Sequence, residues 1–363
     1  MAEPSEPTYG GPLEKYQGRI ETADFDSLAF SLERWKAAPR ELAFAAKSKS
    51  DADAWQRKLK QRVAVCLGGF PKTRVPLKPV TFDLVDFPNH TREALAFQSR
   101  EGAWVFGYLL KPKTVKSPAP VVICLPGHGR GVDDIVGIDP NGRERTVKVG
   151  YAYDYAVQVV EHGMAALAIE MVGFGCRRDA AARKAGQGQS SCQPAAGAAL
   201  LLGETMAGWR TWDVMRSCDF IATRKDLDSK RIGCMGISGG GLITLYAAAM
   251  EPRIRAAFMS CSLCTFRDSI VSISHCIDNY VPGILNWAEM SDIAGLIAPR
   301  PLFVESGEKD PIFPLPGSRE AFEAVHRVYE VLGCPELCKR EEFTGEHEFH
   351  GVGGLDFLRA QLA

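Results

Sequence analysis

The stretch from Arg231 to Gly241, which reads RIGCMGISGGG, constrains the fold of this chain more than any other. An apolar run over residues 232–237 ends at a G-x-S-x-G sequence centred on Ser238, and a helix-forming run from Leu242 to Met250 follows at once. Glycines on both sides of the serine permit a tight, strained turn that has no room for side chains. This order of strand, tight turn and helix predicts that Ser238 is a nucleophile held above the carboxyl end of a sheet. The alternative is a glycine-rich loop with an incidental serine.

The rest of the chain shows a regular alternation of strand and helix patterns. Residues 80–110 read as antiparallel hairpin strands at one edge of a sheet. After them, strands are predicted at 121–125, 164–169, 232–237, 255–260, 301–305 and 339–343, with helices between them, one of which covers Tyr151 to Glu161. This alternation predicts an α/β fold with a mostly parallel central sheet and helices on both faces.

The chain is predicted to consist of two parts. Residues 1–79 are predicted to form an N-terminal extension, with an extended arm over 1–20 and two or three helices between 24 and 65. These helices are candidates for a small lid or for a contact between subunits of a homo-oligomer. Residues 80–363 are then the catalytic domain, in which the segments 172–207 and 265–295 are expected to cap the site and to line its pocket.

Composition excludes several classes of partner. The 43 basic and 44 acidic side chains give a net charge of −1, so neither nucleic acid nor an anionic membrane is an expected partner. No apolar run is long enough to span a bilayer, and the polar start at residues 1–6 lacks the features of a secretory signal. Eleven cysteines, an odd number with several in apolar runs, are typical of free thiols in a reducing compartment. The expected location is therefore cytoplasmic.

A nucleophilic serine needs a base, and the base needs an acid to orient it. Asp310 follows the strand at 301–305 and is the first candidate for the acid, with Glu308 as the alternative. His347 follows the last strand directly and is favoured as the base over His350. The two histidines are too few and wrongly spaced for a zinc site, so no metal and no cofactor are expected.

The oxyanion that forms on the attacked carbonyl needs two N–H donors. The backbone N–H of Gly239 is one candidate. The other is expected from the glycine-rich loop after residues 121–125, where His128 is favoured and Gly129 or Arg130 are alternatives by register. Further candidates for lining the pocket are Arg130, Glu170, Trp209, His275 and His350.

Several stretches together resemble α/β-hydrolases of the dienelactone-hydrolase and acetyl-xylan-esterase type. They are LPGHG at 125–129, VGFG at 172–175, RIGCMGISGGG at 231–241, HCIDNYVPG at 275–283, APRPL at 298–302 and GEHEF at 345–349. The resemblance covers the chain from about residue 80 to its end, and it implies a triad of Ser238, Asp310 and His347 with an oxyanion hole of His128 and Gly239. The chain departs from dienelactone hydrolases proper in having serine where they have cysteine. It also has Pro126-Gly127 where the family usually has His-Gly.

The favoured function is that of a serine carboxylesterase, with a small-molecule ester as its partner. By the resemblance, the esters are short-chain ones of the acetyl type, with sugars or xylan fragments as candidate substrates. One alternative is a peptidase or amidase related to prolyl oligopeptidase, although the residues before the sheet are too few for the propeller of those enzymes. The other alternative is a hydrolase-like scaffold that binds without catalysis.

Overall fold

The computed structural model describes Gly11, Lys15 and residues 25–363, so most of the predicted N-terminal arm lies outside the described residues. The described residues form one sheet of nine strands: β1 Val80–Asp86, β2 His90–Arg100, β3 Ala103–Pro112, β4 Ala119–Leu125, β5 Ala165–Ile169, β6 Leu227–Ile237, β7 Ile254–Ser260, β8 Leu302–Gly307 and β9 Cys338–Phe343. Their order is β1-β2-β3-β5-β4-β6-β7-β8-β9. The pairs among β1, β2, β3 and β5 are antiparallel, and all pairs from β5 through β4 to β9 are parallel.

Helices cover both faces of this sheet. They are α1 Ser27–Lys36, α2 Lys49–Cys66, α3 Tyr155–Glu161, α4 Ala180–Ala185, α5 Cys192–Leu201, α6 Met206–Thr223, α7 Gly239–Met250, α8 Met290–Gly295, α9 Leu315–Leu332 and α10 Val352–Leu362. Alternate side chains of β4 enter two separate cores: Val121 and Ile123 pack with α2 and α5 to α9, whereas Val122 and Cys124 pack with α3 and α10. The predicted α/β-hydrolase architecture is therefore confirmed.

The parallel arrangement decides where chemistry is possible. Because β4 and β6 to β9 run in the same direction, the loops that follow them emerge at one edge of the sheet. These are the loops that carry His128, Ser238, Asp310 and His347. The fold therefore brings residues from four distant segments to the same side of the molecule.

One predicted element begins later than expected. The helix expected from Tyr151 starts only at Tyr155, because Tyr153 and Asp154 have backbone φ angles of 46° and 50°, which an α-helix does not allow. Residues 151–154 form turns instead. This late start leaves Tyr151 on a loop, where its side chain reaches the site described below.

Helix α2 is part of the main core. Ser48 caps its N-terminus, and the buried side chains of Trp55, Leu59 and Val63 form one stripe that packs into the same hydrophobic cluster as the sheet. The Trp55 indole donates a hydrogen bond to the Leu42 carbonyl at 2.7 Å. The helical extension before residue 80 thus shares its core with the sheet, and the domain boundary at residue 79 stays a prediction.

The segments expected to cap the site differ in content. Residues 172–207 hold α4, α5 and the start of α6 and contain no strand, in agreement with the sequence pattern. Residues 265–295 consist of short helical turns followed by α8. Within the part of the chain that the structure describes, no helix combines the length and the apolar character needed to cross a bilayer.

Truncation of a core side chain on α2 tests whether this helix supports the catalytic domain. Leu59→Ala should lower the free energy of unfolding by about 2–5 kcal/mol, because Leu59 is fully buried and its removal leaves a cavity. Val65→Ala on the same helix is the matched control, since Val65 is exposed and its truncation should change stability by less than about 0.5 kcal/mol. Urea unfolding measures both, and equal effects would show that α2 adds nothing to the core.

Candidate active site

The turn between β6 and α7 presents Ser238. Its backbone has φ 56° and ψ −124°, a conformation that is strained for any residue with a side chain, and Gly239 begins helix α7 directly after it. The surrounding glycines are sterically required. A Cβ atom on Gly240 would lie 2.0 Å from the carbonyl oxygen of Leu125, and one on Gly236 would lie 2.5 Å from the backbone of Gly240. The packing therefore fixes Ser238 at the apex of the turn.

The loops after β8 and β9 bring an acid and a base together. Nδ1 of His347 lies 2.8 Å from Oδ2 of Asp310, and the other carboxylate oxygen accepts hydrogen bonds from the backbone N–H groups of Ile312 and Phe313 at 2.8 and 2.9 Å. The His347 ring is stacked between Phe313 and Tyr151, with centroids 5.8 and 6.2 Å away. Since a carboxylate can only accept, Nδ1 carries the proton and Nε2 is the basic atom.

Asp310 is kept ionised by its partners. Burial by itself raises the pKa of this carboxyl group, but the hydrogen bond and the charge of His347, together with the two backbone donors, outweigh burial and lower it. A permanent carboxylate at this position is what an orienting acid requires, because it holds one tautomer of the imidazole and stabilises its protonated form.

Ser238 and His347 face the same cavity. It has a volume of about 270 Å³, and its lining is mainly apolar. The lining residues are His128, Tyr151, Ser238, Ile273, Ser274, His275, Cys276, Ile312 and His347. The structure thus brings together the predicted nucleophile, the predicted base, His128 and His275, with Asp310 directly behind the base.

The loop after β4 passes closely over the nucleophile turn. A Cβ atom on Gly127 would lie 3.1 Å from Cβ of Ser238, and the His128 ring lies against Gly239. The hydroxyl of Tyr151 donates to the carbonyl of His128 at 2.9 Å and so fixes this part of the loop. The N–H of Arg130, one of the alternative oxyanion donors, is occupied by the Asp134 carboxylate at 2.7 Å.

A buried ionic network supports this loop from behind. Arg210 and Asp278 are both completely buried and form an ion pair, and Oδ2 of Asp278 lies 3.2 Å from Nε2 of His128 and 3.3 Å from Sγ of Cys192. Burial lowers the pKa of His128, but its contacts with Asp278 and Cys192 outweigh burial and raise it to about 9. A contact with Cys276, together with those to His128 and Arg210, lowers the pKa of Cys192 against the effect of burial. The network ties the loop at 126–131, the predicted oxyanion loop, to both predicted cap segments.

Glu305 holds the loop that carries the base. Its side chain is fully buried on β8, and its two oxygens accept hydrogen bonds from the N–H groups of His350 and Gly351 at 3.1 and 2.8 Å. Burial raises the pKa of this carboxyl group to about 7. Glu305 does not line the cavity, so it acts on the site through the position of the loop after β9.

Four candidates for lining the pocket lie outside the Ser238 cavity. Arg130 and Glu170 line a different, more polar cavity of about 320 Å³. Trp209 packs against the main core, and its indole donates to Glu204. His350 lines a separate cavity, and its ring stacks on Phe343 with centroids 4.7 Å apart. Of the five pocket candidates, His275 is the one that faces Ser238.

Comparison with known proteins places the chain in a family. A family model described as "Abhydrolase family" matches residues 35–347, which is most of the chain. The chain belongs to the Abhydrolase family. The prediction of an α/β-hydrolase is thus confirmed, and so is the prediction that the protein is a hydrolytic enzyme. The match begins within α1, so the family pattern includes α2 as well as the sheet domain.

Individual relatives agree with this assignment. The Bacillus subtilis (strain 168) protein named "Putative hydrolase YtaP" is 28% identical over 280 residues, which cover 74% of this chain and 86% of the relative. A crystal structure described as a "putative acetyl xylan esterase" from Bacteroides fragilis NCTC 9343 has a TM-score of 0.76 at 18% identity, over 93% of this chain and 90% of that one. A glucuronoyl esterase from Solibacter usitatus has a TM-score of 0.67 at 15% identity, over 90% and 97%. At these identities the structures share the fold.

Other features of this Abhydrolase family member stay predictions. They are the cytoplasmic location, the absence of nucleic-acid and membrane partners, and the homo-oligomer. The roles of Ser238, Asp310, His347, His128 and Gly239 rest on the geometry described above and on the sequence resemblance.

Several residues that shape the site were not among the candidates predicted from the sequence. Tyr151 was expected inside a helix, and neither Phe313 nor Arg210 was singled out. Asp278 lies within the HCIDNYVPG stretch that contributes to the family resemblance, which was the available signal for it. Glu305 ends an apolar strand, and a carboxylate at such a position indicates a buried side chain with hydrogen-bond partners.

The fully buried carboxyl group of Glu170 makes stability depend on pH. Its oxygen accepts from the N–H of Val132 at 3.1 Å, and burial raises its pKa to about 8. Because the folded pKa is above the unfolded value of about 4.5, this group stabilises the fold most below pH 4.5, and the contribution is lost as the pH rises towards 8 at ~1.4 kcal/mol per pH unit. Glu170→Gln resembles the protonated form. Its free energy of unfolding should therefore increase relative to that of wild type as the pH rises from about 5 to about 8.

Urea unfolding of both proteins at three pH values across this window measures the difference. Other titrating groups are common to both proteins and cancel in the comparison. If the free energies of unfolding of the two proteins differ by the same amount at all three pH values, Glu170 does not titrate in this range.

Proposed function

We propose that this protein is a serine esterase that hydrolyses short-chain esters of carbohydrates. The observation that carries the proposal is the shared cavity, in which Ser238 at a strained turn and His347 paired with Asp310 face the same small volume. A hydroxyl, an imidazole and a buried carboxylate in this arrangement are the groups that acyl transfer through a covalent intermediate uses. The family assignment supports hydrolysis as the reaction class.

In the proposed mechanism, Nε2 of His347 takes the proton of Ser238 as the hydroxyl oxygen attacks the ester carbonyl. Asp310 holds the Nδ1 proton and stabilises the imidazolium that forms. The imidazolium then protonates the departing alcohol, which leaves an acyl group on Ser238. Water, activated by the same imidazole, releases the acid and restores the serine.

The negative charge on the tetrahedral intermediate is met by backbone donors. Gly239 is the first residue of α7, so its N–H is among those without an acceptor inside the helix, and the positive end of the helix dipole lies there. His128 is the proposed second donor. Its support is the close passage of its loop over Ser238 and the engagement of Arg130 N–H with Asp134, which removes one competitor.

The size of the cavity supports a short acyl group. At about 270 Å³, the cavity is at or below the lower end of the range for small-molecule sites, and the side chains of Ile273, Ile312 and Cys276 narrow it. The names of structural neighbours, an acetyl xylan esterase and glucuronoyl esterases, support a carbohydrate ester. In an acetylated sugar, the sugar would be the alcohol component of the ester. In a glucuronoyl ester, the sugar would be the acid component.

Replacement of the nucleophile tests the proposal. Ser238→Ala should lower kcat for p-nitrophenyl acetate by about 10⁴–10⁶-fold, because the covalent route is lost. A fluorophosphonate should label wild type with one adduct, which peptide mass spectrometry places on Ser238. Ser274→Ala is the matched control, since Ser274 lines the same cavity and should keep most of the activity and the label. A Ser238→Ala protein with activity within tenfold of wild type (about 1.4 kcal/mol) would contradict the assignment.

A substrate panel tests the acyl group and the bond. Activity on p-nitrophenyl esters should fall by more than about tenfold from acetyl to octanoyl, because the longer chain does not fit the cavity. Acetylated xylooligosaccharides and a methyl ester of glucuronic acid separate the two positions that the sugar can take. Peptide p-nitroanilides measure the hydrolysis of amide bonds. Turnover of amides above that of all esters would favour a peptidase, and a labelled protein that prefers octanoyl esters would reject the short-chain assignment.

A further inference from the structure

Four side chains of the kind that bind transition metals converge beside the cavity. They come from three separate segments: His128 from the loop after β4, Cys192 from the start of α5, and Cys276 and Asp278 from the segment after β7. One ligand atom from each lies within 4.8 Å of all the others. The shortest separations are the 3.2 Å from His128 Nε2 to Asp278 Oδ2 and the 3.3 Å from Cys192 Sγ to the same oxygen.

This cluster has the composition and nearly the dimensions of a zinc-type site. Zinc is bound tetrahedrally by thiolate, imidazole and carboxylate groups at about 2.0–2.3 Å, so neighbouring ligand atoms lie roughly 3.3–3.8 Å apart. The observed separations reach this spacing with small side-chain rotations. The thiolates favour a zinc-type ion over magnesium or calcium, which prefer oxygen ligands.

Two buried atoms of the cluster lack the partners that burial normally demands. Nε2 of His128 and Oδ1 of Asp278 have no hydrogen-bond partner, although the Asp278 side chain is completely buried. His128 Nε2 is close to Asp278 but is not aligned with it for a hydrogen bond. A buried polar atom without a partner destabilises the fold, and a bound cation would remove this cost for a ligand atom.

Arg210 supplies the surroundings that such a site needs. Its buried guanidinium donates to the Asp278 carboxylate, to Sγ of Cys192 at 3.5 Å and to the carbonyl of Val172 at 2.7 Å. Groups that hydrogen-bond to metal ligands in this way orient them and maintain their affinity. Two thiolates and one carboxylate also carry three negative charges, which the guanidinium and one divalent cation balance within the protein interior.

We propose that His128, Cys192, Cys276 and Asp278 bind one zinc-type divalent cation that fixes the oxyanion loop to the two cap segments. The ion has a route of entry, because His128 and Cys276 line the Ser238 cavity. Its role is structural, since all four protein ligands close the coordination shell and leave no position for a substrate. A cation takes the place of protons on these ligands, so its affinity falls as the pH falls. The proposal does not depend on ester hydrolysis.

Metal binding by the untagged, full-length protein tests the inference. Protein purified with a reductant, stripped with a chelator and dialysed with zinc should retain about one equivalent per chain by plasma mass spectrometry. With cobalt(II), the protein should show thiolate-to-metal charge-transfer absorption and the intense visible bands of a tetrahedral site. Zinc should also raise the midpoint of thermal unfolding, because it binds the folded state.

A double variant locates the site. Cys192→Ser with Cys276→Ser removes both thiolates and should weaken zinc binding by more than about 100-fold, since even changes around the ligands cost about 10–100-fold. Cys334→Ser with Cys338→Ser is the matched control, because it removes one thiol just after α9 and one at the start of β9, outside the cluster, and should bind zinc as wild type does.

Three metal-binding results would overturn the proposal. They are wild-type protein that retains no zinc, cobalt bands without thiolate character, and a control pair that loses as much affinity as the Cys192 and Cys276 pair. A disulfide between Cys192 and Cys276 in place of bound metal would also overturn it, and a thiol count detects this. If the double variant does not fold, the cobalt spectrum of wild type decides. These measurements use no ester, so a failed esterase assay does not affect them.

Discussion

The close approach of the turn after β6 to the end of β4 is the contact on which the site depends. Gly240 lies against the Leu125 carbonyl so tightly that a single added carbon would come within 2.0 Å of it. This approach keeps Ser238 in its strained backbone conformation and brings the loop with His128 over it. Strain of this kind persists only where the surrounding packing is rigid, and here both cores of the sheet supply that rigidity.

The second half of the site is built by a different means. His347 is held by hydrogen bonding to Asp310 and by stacking between two aromatic rings. Glu305 fixes the following residues of its loop from inside the sheet. Ser238 is therefore positioned by backbone packing, whereas His347 is positioned by side-chain contacts.

The sequence predicted those parts of this architecture that depend on local pattern. Strands such as β4 and β6, and the glycines around Ser238, are defined by a few adjacent residues, and the order of the strands then brings Asp310 and His347 to the same edge. The late start of α3 was missed because Tyr153 and Asp154 adopt positive φ angles without glycine. Arg130, Glu170 and His350 were placed near the pocket by loop position, but side-chain direction is set by tertiary contacts. The network around Asp278 joins residues more than 60 positions apart, which no local pattern reveals.

Tyr151 connects the two halves of the site. Its hydroxyl holds the carbonyl of the residue proposed as an oxyanion donor, while its ring lies parallel to the imidazole proposed as the base. A shift of that imidazole would therefore reach the loop above Ser238 through the phenol. One aromatic side chain thus contacts both groups, so that a substitution at position 151 would disturb the imidazole and the loop together.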